Sequence, residues 1–183
     1  MTPEFLPQKA NYQDLICYKK SEVIYDLTFY FAHKFLDRSD RTIDQMVQAA
    51  RSCKQNIVEG SAAAPTSKET EIKLTNVAKA SLQELLQDYQ DYLRVRNLPQ
   101  WPQEDPRHIQ ARQACKAHND LEFYRSRFDG RSAETLANIA IIIIKQTDYL
   151  LYRLIERQKQ NFLETGGIRE QMTAARLRRR ERR

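Results

Sequence analysis

The sequence predicts an all-α protein. The expected architecture is an antiparallel four-helix bundle, with a helix inserted between its third and fourth members and a basic helical suffix at the C-terminus. Three observations predict it. Only four glycines occur in 183 residues and none precedes Gly60, while Ala, Leu, Gln, Glu, Lys and Arg abound. Apolar residues recur at steps of three and four over long stretches. Breakers are confined to a few places, chiefly GSAAAPTS, LPQWPQEDP and Gly166-Gly167. A chain of this length buries roughly 70% of its unfolded surface.

The first helix is expected from about Tyr12 to Phe35. Asn11 precedes it as an N-cap, with Asp14 in an acidic first turn. Ile24, Leu27, Phe31 and Phe35 form its stripe, with Val23 and Tyr30 beside them. The second helix starts near Thr42, where Thr42 and Gln45 have capping-box spacing. Ile43, Met46, Ala50, Cys53, Ile57 and Gly60 make a narrow seam of small residues. Gly60 is expected to open a breaker segment.

The third helix follows Pro65, with Thr66 and Glu69 as its capping box and an end near Asn97. Thr75, Ala78, Leu82, Leu85, Tyr89 and Tyr92 keep the step, widened by Leu86 and Leu93. Such a helix is about 45 Å long, a bundle length. After the proline-rich link, Asp105-Pro106 reads as N-cap plus N1 proline, so an inserted helix is expected over 106–128. Ala114, Ala117, Leu121, Tyr124 and Phe128 give it a stripe.

The fourth bundle helix is expected from Ser132 to about Leu163, with Leu136, Ile139, Ile143, Leu150 and Leu154 in the core. Ile141, Ile142, Ile144 and Leu151 cannot share that stripe. They imply cover by both the inserted helix and a second subunit. The bundle domain is thus 1–163 and the suffix 164–183. In the suffix, Ile168, Met172 and Ala175 start a short amphipathic helix that merges into RLRRRERR.

Charge separates these two parts. Arg169, Arg176, Arg178, Arg179, Arg180, Arg182 and Arg183 face only two Glu in the last fifteen residues, a balance of +5. The other 168 residues carry 23 basic and 22 acidic side chains. Positive charge concentrated at one end points to an anionic partner.

Three separated cysteines without a CxxC pair point to a reducing compartment and a cytoplasmic protein. No signal peptide is legible in MTPEFLPQKANY. The longest apolar run, 139–144, is far shorter than the roughly 20 residues that span a bilayer, so no membrane partner is expected.

Enzymatic chemistry is poorly represented. No phosphate loop, dinucleotide fingerprint, zinc-protease, nucleophile-elbow or EF-hand pattern occurs, so a non-enzymatic chain without cofactor is expected. Cys115, His118 and His108 are an incomplete zinc set, and no metal is expected. Arg112 and His118, with five residues between them, match the Arg–His spacing of one class of small helical ribonucleases, though Gln113 stands where that class favours Asn, Asp or His. Glu84, Asp88 and Asp91 lack the His partners of a di-iron bundle and read as a solvated face plus one buried polar contact.

One constellation is specific. Asn56-Ile57-Val58-Glu59-Gly60 ends a helix, Ser67-Lys68-Glu69 opens the next, and Ala80-Ser81-Leu82-Gln83-Glu84-Leu85 lies within it. In this order the segments resemble the four-helix bundle protein family. That family includes proteins encoded in intervening sequences of bacterial large-subunit rRNA genes and the accessory variability determinant of diversity-generating retroelements. The resemblance spans about 12–98 and 132–163. The stretch 162–172 is similar to a suffix of one subgroup, in which a Gly-Gly turn leads to a basic end. Gln48, Cys53 and the inserted helix depart from the family pattern. The resemblance implies a homo-oligomer, typically a pentamer, associated with RNA or DNA or with a reverse transcriptase.

Physically, Ser52, Asn56 and Glu59 lie at i, i+4 and i+7, and Ser81 and Glu84 are expected to face them. The five read as a buried polar network fixing the register of the second and third helices. The functional expectation is an oligomeric nucleic-acid-associated adaptor. The alternatives are a purely structural or protein-interaction bundle, and a ribonuclease using Arg112 and His118.

Overall fold

The computed structural model describes residues 11–181. The N-terminal leader reading, and Arg182 and Arg183 of the tail, therefore lie outside the described residues. Among the described residues every regular element is helical and none is a strand. A single 3-10 turn, Tyr12–Asp14, precedes α1 (Ile16–Phe35), α2 (Thr42–Ala63) and α3 (Lys68–Val95). Two short helices follow, α4 (Pro106–Ala117) and α5 (Leu121–Arg125), then α6 (Ala133–Thr165) and α7 (Ile168–Glu181).

Capping side chains explain where these helices start, and correct several expected boundaries. Asn11 Oδ1 accepts from the Gln13 amide at 3.4 Å, which closes a tight turn. Leu15 is then extended and packs against the core, so the helix expected from Tyr12 begins only at Ile16. At α2 the N-cap position is Arg41, whose side chain makes no capping bond; the carboxylate of Asp40 before it accepts from the Thr42 amide at 2.9 Å, in place of a Thr42–Gln45 box. At α3 it is Ser67, accepting from the Thr70 amide at 3.1 Å. Thr66, the expected cap, instead turns its hydroxyl back to the Ala63 carbonyl at 3.1 Å. Asp105 caps α4 as expected, and Ser132, expected as the first residue of its helix, is the N-cap of α6.

Gly60 does not end α2, which runs on to Ala63. The glycine serves close packing: a β-carbon there would sit 3.3 Å from the Glu71 carbonyl oxygen and 3.4 Å from Leu74 Cβ. The tight contact draws α3 against α2.

The four long helices form a ring of neighbours: α1 packs on α2 and α6, and α3 packs on the same two. Side chains show that α3 and α6 run in opposite directions. Lys68 reaches Asn161 at 2.7 Å, Gln83 reaches Asp148 at 2.7 Å, and the Trp101 amide reaches Asn138 at 2.7 Å. Inside the ring lie Phe31, Met46, Leu82, Tyr89, Ile143 and Leu151, each fully buried. Leu150, Leu154, Phe35 and Ile43, expected in the core, are only half-buried.

The inserted segment is two helices, where one was expected. His118 is extended, and Asp120 caps the next turn by accepting from the Phe123 amide at 2.8 Å. The break lets the chain fold back, so that Tyr124 and Phe128 are buried while Ala117 is left exposed. α4 packs on α6 and α5 on α1. Ile141, Ile142, Ile143 and Ile144 are all buried within the single chain, so a second subunit is not needed to cover them. The docking is fixed by Lys20, a buried lysine of α1 whose ammonium donates to the Cys115 carbonyl in the last turn of α4. A cation on unsatisfied C-terminal carbonyls is the favourable sense for a helix dipole.

One buried polar contact yields a prediction. Gln158 Nε2 donates to Glu71 Oε1 at 3.1 Å and to Thr75 Oγ1 at 3.0 Å, while Gln158 Oε1 is buried with no hydrogen-bond partner. Burial raises the Glu71 carboxyl above its ordinary value of 4.5, against the opposing pull of the Gln158 donor. The folded value therefore exceeds the unfolded one. The charged form carries a penalty that is full above the raised value and fades as pH falls through it to 4.5 and below. Glu71→Gln supplies a neutral amide that can also donate to Gln158 Oε1. It is expected to raise stability by about 1 kcal/mol at neutral pH. Thermal unfolding should show that gain shrinking on acidification; a gain constant with pH would contradict the account.

Candidate functional site

The arginine-bearing suffix is the first site to consider. Gly166, at φ 67, and Gly167 break α6 from α7. Glu170 folds back to accept from the Gly167 amide at 2.7 Å, and Gln171 Nε2 donates to the Gly166 carbonyl at 3.2 Å. These bonds set the entry of α7, which among the described residues has no substantial packing against the ring of long helices. Arg169, Arg176, Arg178 and Arg180 are exposed, and none of the four forms an ion pair with another described residue. Arg179 lies in the same helix. Arg169, Arg176 and Arg180 fall at i, i+7 and i+11, within about 40° of one another and along about 16 Å of the axis. This is a stripe of unpaired guanidiniums of the kind that binds phosphates.

The predicted polar network is only partly assembled. Ser81 Oγ lies 2.9 Å from Ser52 Oγ and 3.1 Å from the Val77 carbonyl. Asn56 Nδ2 donates to the Ser52 carbonyl at 2.8 Å and lies 3.2 Å from its hydroxyl. The Ser81–Ser52 bond ties α2 to α3, and Asn56 buttresses Ser52 from within α2. Glu59 and Glu84, expected to face inward with them, are exposed. Both carboxylates stay in water, because burying an unpaired charge costs more than hydrating it.

The Arg112 and His118 side chains are not brought together. Six residues turn a helix by about 600°, which places them about 120° apart around the axis. Arg112 is exposed, and its carbonyl accepts from Gln146 Nε2 at 3.0 Å. His118 caps the end of α4, with its ring stacked on Phe123 at 3.6 Å and Nδ1 3.8 Å from the Asp120 carboxylate. Among the described residues, no group of three or more His, Cys, Asp or Glu is placed to hold a metal. Cys17, Cys53 and Cys115 are free and buried, and burial pushes the Cys17 thiol up to about 11. Burial and the neighbouring Asp91 and Glu84 carboxylates likewise raise Asp88.

A feature missed in the sequence lies where the inserted helices meet α6. A cavity of about 400 Å³ opens there. Ala111, Ala114, Cys115, Leu136 and Ile139 give it an apolar floor, and Trp101, Phe123, Tyr124 and Phe128 its aromatic walls. Arg107, Arg127 and Arg131 stand around it. The signal was the concentration of aromatics and arginines in 121–131. It could not be read as a pocket until the break at 118–120 was known.

No helix among the described residues is long and apolar enough to cross a membrane. No protein-family model, curated protein or solved structure matches the chain.

Proposed function

We propose that the chain is a non-enzymatic, nucleic-acid-associated adaptor that presents α7 as a phosphate-binding arm. The observation that carries this reading is the exposed, unpaired arginine stripe of α7, set apart from a body of nearly neutral charge. Clustered arginines bind RNA or DNA by displacing condensed counterions, with no requirement for base sequence. The body in this reading is an antiparallel four-helix bundle made of α1, α2, α3 and α6, which supplies a rigid mount.

The family resemblance adds the finer expectations. The adaptor would be a homo-oligomer, a pentamer by resemblance, acting in the cytoplasm, in one form as a reverse-transcriptase accessory of a diversity-generating retroelement. Several arms on one assembly would multiply a weak contact through avidity.

The test is truncation before Arg176, which removes six of the seven tail arginines. Binding to a labelled RNA or DNA is expected to be lost at physiological salt, while the thermal unfolding of the body is unchanged. Binding that survives truncation would remove α7 from the function. A second reading, a bundle that engages only protein, is favoured by the exposed aromatics Phe29, Tyr149 and Tyr152. It predicts a defined oligomer with no nucleic-acid affinity.

A further inference from the structure

We infer that the cavity between α4, α5 and α6 is a binding site for a small aromatic anion, one ring carrying a single carboxylate, sulfonate or phosphate. Its volume, about 400 Å³, lies in the range of small-molecule pockets. The inference is independent of the arginine stripe on α7.

The floor sets the body of the ligand. Cys115 and Leu136 are each 1% exposed and Ala111 and Ala114 offer only methyl groups, so the base of the cavity is apolar. Burial suppresses ionisation of the Cys115 thiol, which keeps that floor uncharged. The walls are aromatic, and flat rings favour edge or offset contact with another ring. A polar body would lose its water here without enough partners to replace it.

The arginines set the charge. No Asp or Glu lines the cavity. Arg107 is already neutralised, 2.8 Å from Asp105 and 3.2 Å from Glu134, and its guanidinium lies over Trp101. Arg127 lies over the Phe123 ring at 3.9 Å and donates only to the Phe123 carbonyl and the Ser126 hydroxyl, so its charge has no acid. The Arg131 guanidinium has no hydrogen bond or ion pair with another described residue. Two uncompensated guanidiniums beside an apolar, aromatic chamber complement an anion with a ring attached.

The chain reports on this site directly, because Trp101 is its one tryptophan and lines the cavity. Hydrocinnamate serves as the probe, with hydrocinnamyl alcohol as its neutral match. Titration of the full chain is expected to change Trp101 emission saturably, with a Kd on the order of 100 µM. The alcohol should bind at least about tenfold more weakly. Arg127→Ala with Arg131→Ala should weaken hydrocinnamate about tenfold or more while melting as the parent does. Ala111→Phe, which fills the chamber and keeps both charges, should abolish binding. Calorimetry on the same samples guards against a silent fluorophore. No saturable signal by either method, equal binding of the alcohol, or binding indifferent to both variants would overturn the inference.

Discussion

Phe31→Ala is expected to destabilise the chain by about 3–5 kcal/mol, the largest effect of any single substitution proposed here. Phe31 is fully buried on α1, and its ring centroid lies 5.0 Å from that of Tyr89 and 4.7 Å from that of Tyr92, both on α3. Phe35 adds a third ring at 5.4 Å. The aromatic group therefore bridges α1 and α3 across the interior of the ring of helices. Removing Phe31 deletes its transfer free energy and leaves a cavity walled by large rings that cannot collapse into it. Tyr89 is further anchored by its hydroxyl, which donates to Thr28 Oγ1 at 3.1 Å and so cannot swing to fill the space. Denaturant unfolding would measure the loss as a lower midpoint. A change below about 1 kcal/mol would mean that α1 and α3 are not joined in this way.

Asn138→Ala is expected to cost about 3 kcal/mol by a different route. Asn138 is buried on α6 amid the apolar run. Its Oδ1 accepts from the Trp101 amide at 2.7 Å, and its Nδ2 donates to the Pro99 carbonyl at 3.0 Å and the Glu134 carbonyl at 2.9 Å. One side chain thus satisfies two backbone groups of the link between α3 and α4. Alanine removes both bonds and leaves the buried Trp101 amide without its partner, and an unsatisfied buried group costs about 1–3 kcal/mol. The loss should be local as well as global. Hydrogen exchange should quicken at Trp101 and across α4 before it does in α2. A uniform loss of protection would contradict the assigned role.

These two residues also show what could be read from the chain alone. Phe31 stands in a three-four stripe, and periodicity is enough to bury it. Asn138 sits in LANIAIIII, where the pattern marks a core face and gives no sign that one polar residue holds a distant loop. Its partner Trp101 lies in a proline-rich link whose fold depends on what α6 offers it. Lys20 is the same case: a lysine near the start of α1 becomes buried only because the end of α4 arrives beside it.

Glycine shows the limit of local rules from another side. Gly60 is a breaker by composition, yet the contact with Glu71 and Leu74 uses its missing side chain within a continuous helix. The polar residues of α2 and α3 divide by size. Ser52 and Ser81 are short enough to bond across the seam, and Asn56 bonds back to Ser52 within α2, whereas Glu59 and Glu84 reach past it to water. Spacing fixed the shared face but not the depth. The basic suffix was the most legible element, because charge density needs no tertiary partner to be recognised. The cavity was the least, since it exists only once α4 and α5 separate.

The salt dependence of nucleic-acid binding tests the central claim most directly. For the full chain on duplex DNA, log K against log salt should be steep, with a slope between about −3 and −6 for the tail arginines. Replacing Arg176, Arg178 and Arg180 together by Gln should flatten that slope by about 3. A slope near zero, or one that the triple replacement leaves unchanged, would contradict the assignment of α7 as the phosphate-binding arm.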